Sequence, residues 1–150
     1  ISFCKVNASK FGIDRLELSD IARRECDGRE GSFLISMSNM LHGTLPYYMK
    51  FGFRPIERSA WLKIEYNLRK MKEVKIDGLN QIEYLEQFGK SVPRDLKRFL
   101  MENEGKPVIE SLMMLRDRVC GLYAEWYNDF YKYYGLQELV GRESRYELVL

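Results

Sequence analysis

Chemistry near neutral pH needs a titratable or nucleophilic group held near a partner, and few residues of this chain are spaced to supply one. The single histidine, His42, would have to be the base of any Ser-His-Asp or Cys-His arrangement. No G-x-S-x-G nucleophile elbow accompanies it, so the plainer reading of His42 is a loop or helix-end residue. The three cysteines, Cys4, Cys26 and Cys120, are odd in number and widely spaced. That predicts reduced thiols in an intracellular (cytoplasmic) protein rather than a disulfide framework. There is no CxxC or HxxxH spacing, a zinc site would have to gather scattered ligands, and no metal is expected. Asp14, Glu17 and Asp20 could include a general base, although exposed strand-end carboxylates are the plainer explanation. Arg23, Arg24 and Arg29, with Lys50 and Arg54, could hold phosphate. Glu25, Asp27 and Glu30 are interleaved with them, as on an ordinary solvated surface.

The elements that must position these groups are legible as a change of period. The chain has 150 residues, 45% hydrophobic and 31% charged, with a net charge of +2. Such a composition can bury a core, contains no run near the roughly 18 apolar residues of a membrane span, and makes no case for nucleic acid. Up to about residue 58, short apolar runs alternate with turn signals. Arg15–Ser19 alternates around Leu16 and Leu18 and predicts a strand, and Phe33–Ile35 a second. Gly28 and Gly31 bracket a polar turn between them. Ser38 or Asn39 could cap a short helix, and Pro46–Phe51 a further one, stopped by Gly52. Phe53–Ile56 is extended, with Pro55 limiting it to an edge.

From Ser59 the period becomes helical. Trp61, Ile64, Leu68 and Met71 form one stripe, and Asp77-Gly78 marks a turn. Pro93 opens a helix that stops at Gly105. Pro107 opens the longest, running through Leu115, Val119, Leu122, Trp126 and Phe130 to Gly135. Arg145–Leu150 alternates around Tyr146, Leu148 and Leu150 and predicts a last strand. Tyr123, Trp126, Tyr127, Phe130 and Tyr134 line one helix face as a core would, whereas Tyr131 and Tyr133 fall outside that stripe and could face a partner. The expected fold is α/β (α+β): residues 1–58 form a small mixed sheet unit, and 59–150 a helical extension ending in a strand and packed on the same domain.

The most informative stretch is Pro46-Tyr47-Tyr48-Met49-Lys50-Phe51-Gly52-Phe53-Arg54-Pro55. A short helix displays a tyrosine, a glycine ends it, and an aromatic begins the next strand. This resembles the Tyr-x-x-x-Gly-Phe step of the GNAT superfamily of acyl-CoA-dependent N-acetyltransferases. Ala8–Leu18 is similar to the end of that family's central helix and the strand after it. The likeness covers roughly residues 8–57, and GNAT-like proteins of large DNA viruses are similar too, with a helical tail after Gly-Phe.

The resemblance implies a GNAT-like fold, acetyl-CoA as cofactor and an amine as acceptor, with the amine attacking the thioester carbonyl. Tyr48 occupies the position that donates a proton to the departing thiolate. Asn39 and Arg54 are the implied cofactor-binding residues, although the family often has an Asn where this chain has Leu41. The family's pyrophosphate cradle, Gln/Arg-x-x-Gly-x-Gly/Ala, does not occur within residues 1–150, and the chain begins at Ile1. The resemblance therefore implies the C-terminal portion of a GNAT-like fold, with the cradle expected ahead of Ile1. Many members finish with a strand pair, where this chain continues into helices. The alternative is a non-catalytic interaction or structural protein with a GNAT-like fold, such as a virion component. Its partner would be another protein or a second copy of the chain.

Overall fold

A computed structural model describes residues 7–27 and 31–150. Cys4, Gly28, Arg29 and Glu30 lie outside the described residues. The structure is mixed α and β, and every strand pairing among the described residues is antiparallel, so the small sheet is not mixed as expected. Strands β1 (Arg15–Ser19), β2 (Arg23–Glu25), β3 (Ser32–Leu34), β4 (Arg54–Pro55) and β5 (Arg145–Val149) make two sheets, ordered β1-β5-β4 and β2-β3.

The last strand is the centre of the larger sheet. Leu16 pairs with Leu148 and Leu18 with Tyr146 on one side, and Pro55 with Tyr146 on the other. The alternation read from the sequence decides which face is buried, because successive side chains of a strand point to opposite faces. Tyr146 and Leu148 join Phe53 in a buried cluster, with Leu16, Leu18, Tyr48 and Met49 packed against it. The other face carries charge: Arg15 reaches Glu147 at 3.4 Å and Arg145 reaches Glu17 at 2.9 Å. These pairs are solvent-exposed and add little stability.

Everything between β4 and β5 is helical apart from short connections. The helices are α1 (Ile35–Leu41), before β4, and then α2 (Arg58–Met71), α3 (Gly78–Gln87), α4 (Arg94–Glu102), α5 (Val108–Arg118) and α6 (Cys120–Tyr133). The two-residue β4 pairs with β5, and the five helices from α2 to α6 lie between them in the chain. Phe33, Met40 and Leu41 share one continuous core with Ile64, Leu85, Leu96, Leu112, Tyr123 and Phe130. The division near residue 58 is a change of period and not a division of the core.

Several local expectations are corrected. The helix after β3 begins at Ile35, before the anticipated Ser38 or Asn39 cap. Asp77 does more than turn the chain: its side chain accepts from the Asn80 N–H and opens α3. The long helix is broken at Val119, whose φ of −139° and ψ of 68° are not helical. On α2 the buried face is Ala60, Ile64, Asn67 and Met71, while Trp61 is half exposed. Asn67 can replace an apolar residue because its amide is satisfied. It donates to the Tyr131 hydroxyl and the Gln137 carbonyl, each at 2.9 Å, and accepts from the Gln137 N–H at 2.8 Å. Tyr131 is therefore wholly buried, and Tyr133 packs edge-on against Tyr84, so these two rings do not form a partner surface.

Cys26 and Cys120 form a disulfide, with their Cα atoms 5.6 Å apart. This overturns the expectation of reduced thiols and removes the ground on which an intracellular location rested. Spacing in sequence could not reveal it, because the β2-β3 hairpin folds onto the start of α6, where Phe33 meets Tyr123 edge-on at 5.1 Å. Among the described residues no helix is long and apolar enough to cross a membrane.

Candidate functional site

The Tyr-Tyr-Met-Lys-Phe-Gly-Phe stretch folds as a short 3₁₀ helix, Tyr47–Phe51. Gly52 ends it at φ +89°, a left-handed conformation that glycine adopts without a Cβ penalty. The reversal puts Phe53 into the buried cluster and lets the chain enter β4 at Arg54. Tyr48, one turn earlier, lies against the same cluster, its ring centroid 6.2 Å from Phe53 and 6.3 Å from Tyr146.

Three further residues complete the surroundings of Tyr48. Asp20 follows the last residue of β1, and its main-chain N–H donates to the Ser144 carbonyl at 2.8 Å. Ser36, in the first turn of α1, is buried and donates its hydroxyl proton to Asp20 Oδ2 in a short hydrogen bond. The same Ser36 oxygen accepts from the Tyr47 N–H at 3.2 Å. One serine thereby joins the end of β1 to the helix that carries Tyr48. Tyr146, in the central strand, is wholly buried, and its hydroxyl has no hydrogen-bond partner.

A cavity of about 50 Å³ opens between these elements. Its polar wall is Asp20, Ser36, Ser144 and Tyr146, and its apolar wall is Leu34, Met37, Met40 and Leu139. The electrostatics of the group are mutually reinforcing. Burial raises the Asp20 carboxyl above its usual range, although the hydrogen bonds from Ser36 and the Ala22 main chain oppose the shift. Partial burial, then the nearby Asp20 and Tyr47, raise the Tyr48 phenol. Burial followed by Asp20 likewise raises Tyr146. Tyr48 thus holds its proton more firmly than a free phenol, and the neighbouring carboxyl is a weaker acid than usual. Both shifts favour the protonated forms, and Asp20 is on the wall of the small cavity.

Of the residues picked from sequence, the structure brings Tyr48 and Asp20 together and separates the rest. Glu17 points to the charged face of the sheet, where it pairs with Arg15 and Arg145. Asp14 serves through its main-chain carbonyl, which accepts from the Leu150 N–H. Arg54 is directly opposite Glu147 and so shares the charged face, on the far side of the sheet from Tyr48. Asn39 lies on α1 outside the cavity wall, with its side-chain nitrogen buried and unpartnered, while its carbonyl accepts from Thr44.

The basic patch does not assemble either. Arg23 donates to Ser32, and Arg24 lines a separate groove beside the disulfide with Arg116 and Arg118, among Glu25, Asp27 and Asp117. His42 ends α1 and is buried against Tyr123, with ring centroids 5.6 Å apart. Arg116 Nη1 lies 3.1 Å from His42 Nδ1. Arginine can only donate, so Nδ1 accepts and the ring is neutral. Burial and the Arg116 guanidinium push the imidazole down to about 4.

Ser36 and Tyr146 were not singled out from sequence. Tyr146 carried a signal only as a core position of an alternating strand, and its orphaned hydroxyl is a property of the packing. Compared with models of protein families, with curated proteins and with solved structures, the chain matches none.

Proposed function

We propose that this chain is a GNAT-like protein whose Tyr48 and Asp20 form the proton-handling end of an acetyl-CoA-dependent N-acetyltransferase site. The observation that carries the reading is the convergence of three features. The Tyr48–Phe53 step folds as helix, left-handed glycine and strand; its tyrosine lies in the field of a half-buried carboxylate; and its ring packs against Tyr146 of the central strand, which pairs with β4. Acetyl-CoA, when bound, would supply the activated thioester. The residues fit the reacting end of that group, since a phenol held protonated is a proton donor and Asp20 is a nearby acceptor. They fit its phosphates less well. Arg54 lies across the sheet from Tyr48, and a cavity of about 50 Å³ is far below the roughly 300–1,000 Å³ of small-molecule pockets.

That last observation favours a second reading, a GNAT-like fold kept as a non-catalytic interaction or structural module, for example in a virion. Phe11 and Ile21, 76% and 79% exposed on either side of β1, would suit a protein partner. Calorimetric titration with acetyl-CoA separates the two. The enzyme reading expects saturable heat, and expects Tyr48→Phe to lower kcat by roughly 10²-fold with KM little changed. No heat at millimolar acetyl-CoA would leave the interaction module standing, whereas an unchanged kcat in Tyr48→Phe would remove Tyr48 from the mechanism.

A further inference from the structure

The cavity beside Tyr48 has an unbalanced inventory of charge and hydrogen bonds. Asp20 is half-buried and accepts from the Ser36 hydroxyl and the Ala22 main chain, both neutral donors. Among the described residues none of the ion pairs includes it. A carboxylate withdrawn from water without a cation is costly. The Tyr146 hydroxyl on the same wall is wholly buried and has no partner. A half-buried carboxylate without a cation and a buried hydroxyl without a partner thus meet at one small space. The Tyr48 ring lies nearby, tilted at 47° to the Tyr146 ring with centroids 6.3 Å apart. The remaining wall is apolar and includes two methionines, Met37 and Met40.

We propose that this cavity binds a small primary ammonium ligand, with its –NH₃⁺ group against Asp20 and a short alkyl chain along Met37 and Met40. An ammonium has three donors. One neutralises Asp20, a second can be accepted by the Tyr146 oxygen, and a third by the Ser144 or Ser36 side chain. The aromatic rings favour a cation further. A cavity of about 50 Å³ admits the head group and a few carbons, which selects short unbranched amines over bulky or quaternary ones. The site is argued from the unpaired groups and does not depend on acyl transfer. Where the acyl-transfer reading also holds, the cavity identifies its acceptor class.

The test uses the whole chain, with its methionine methyl groups carbon-13 labelled, titrated with n-propylammonium chloride in the absence of acetyl-CoA. Saturable shifts confined to the Met37 and Met40 methyl signals are expected. Potassium chloride at equal ionic strength and n-propanol at equal concentration should give none. Asp20→Asn keeps an acceptor for Ser36 but removes the charge, and should weaken binding by at least about tenfold. Tyr146→Phe should weaken it roughly several-fold with the fold retained, since only a hydroxyl already lacking a partner is lost. Equal shifts with potassium would reassign the site to an inorganic cation and overturn the proposal. So would equal binding of n-propanol, or wild-type affinity in Asp20→Asn. Ammonium binding without any acetyl-CoA heat would keep this site and remove only the acyl-transfer reading.

Discussion

Reduction of the Cys26–Cys120 disulfide is the perturbation whose cost can be worked most directly from the structure. The bridge spans a sequence separation of 94. Taking that as the closed loop, the chain-entropy expression gives about 15.6 cal/mol/K, or roughly 4.7 kcal/mol at 25 °C. The reduced protein should still fold, because Phe33 remains packed on Tyr123 and Tyr127, and the hairpin retains its pairing of Arg24 with Phe33. Residual order in the reduced, unfolded chain lowers the net effect, to roughly 3–4 kcal/mol. For a domain of this size that corresponds to a fall in Tm of about 10 °C. The assay is a pair of thermal or urea melts with and without reductant, alongside a thiol titration of the denatured chain. One free thiol, Cys4, is expected before reduction and three after. The double variant Cys26→Ala with Cys120→Ala should melt like the reduced protein and no longer respond to reductant. Three thiols without reduction, or coincident melts, would refute the reasoning.

Three further outcomes follow from single residues. His42 is neutral in the native state with its pKa near 4, against 6.5 unfolded, so the unfolded chain binds the extra proton between those values. Stability should therefore rise with pH across that window, by up to about 1.4 kcal/mol per pH unit, and His42→Gln should flatten urea midpoints compared at pH 5 and pH 7. Asn67→Leu removes the acceptor of the Gln137 N–H, while the Tyr131 hydroxyl keeps its bond to the Gln137 carbonyl, and should cost roughly 2 kcal/mol by chemical denaturation. Gly52→Ala should cost roughly 1–2 kcal/mol from backbone strain at φ +89°, since the added Cβ would meet Leu148 at an ordinary 3.6 Å.

Read in order, the chain declares its local structure well and its encounters poorly. Alternation placed β1 at Arg15–Ser19 and the final strand at its observed start, and the Pro46–Gly52 signals placed the short helix before β4. These are effects of residues on their immediate neighbours. No local signal marks the break at Val119, because a helical period runs through it, and the residue that follows it, Cys120, is bonded to the distant Cys26.

The candidate site divides in the same way. Tyr48 can be named through the resemblance of its Tyr-x-x-x-Gly-Phe step, and Asp20 as a carboxylate at a strand end, both of which are local features of the chain. Ser36 became part of the site only when α1 folded against the end of β1. Arg54 left it because opposite pairing with Glu147 turns its side chain to the other face. Sequence by itself determined where β1, β3, β5, the short helix before β4, α2 and α4 form, through periodicity, capping residues and glycine conformations that act over a few residues. Only the tertiary structure decided that the last strand lies between β1 and β4, that Cys26 meets Cys120, and that Tyr146 and Asp20 share a cavity. Each of those is a contact between segments far apart in the chain, where the gain comes from shared burial and no neighbouring residue records the partner.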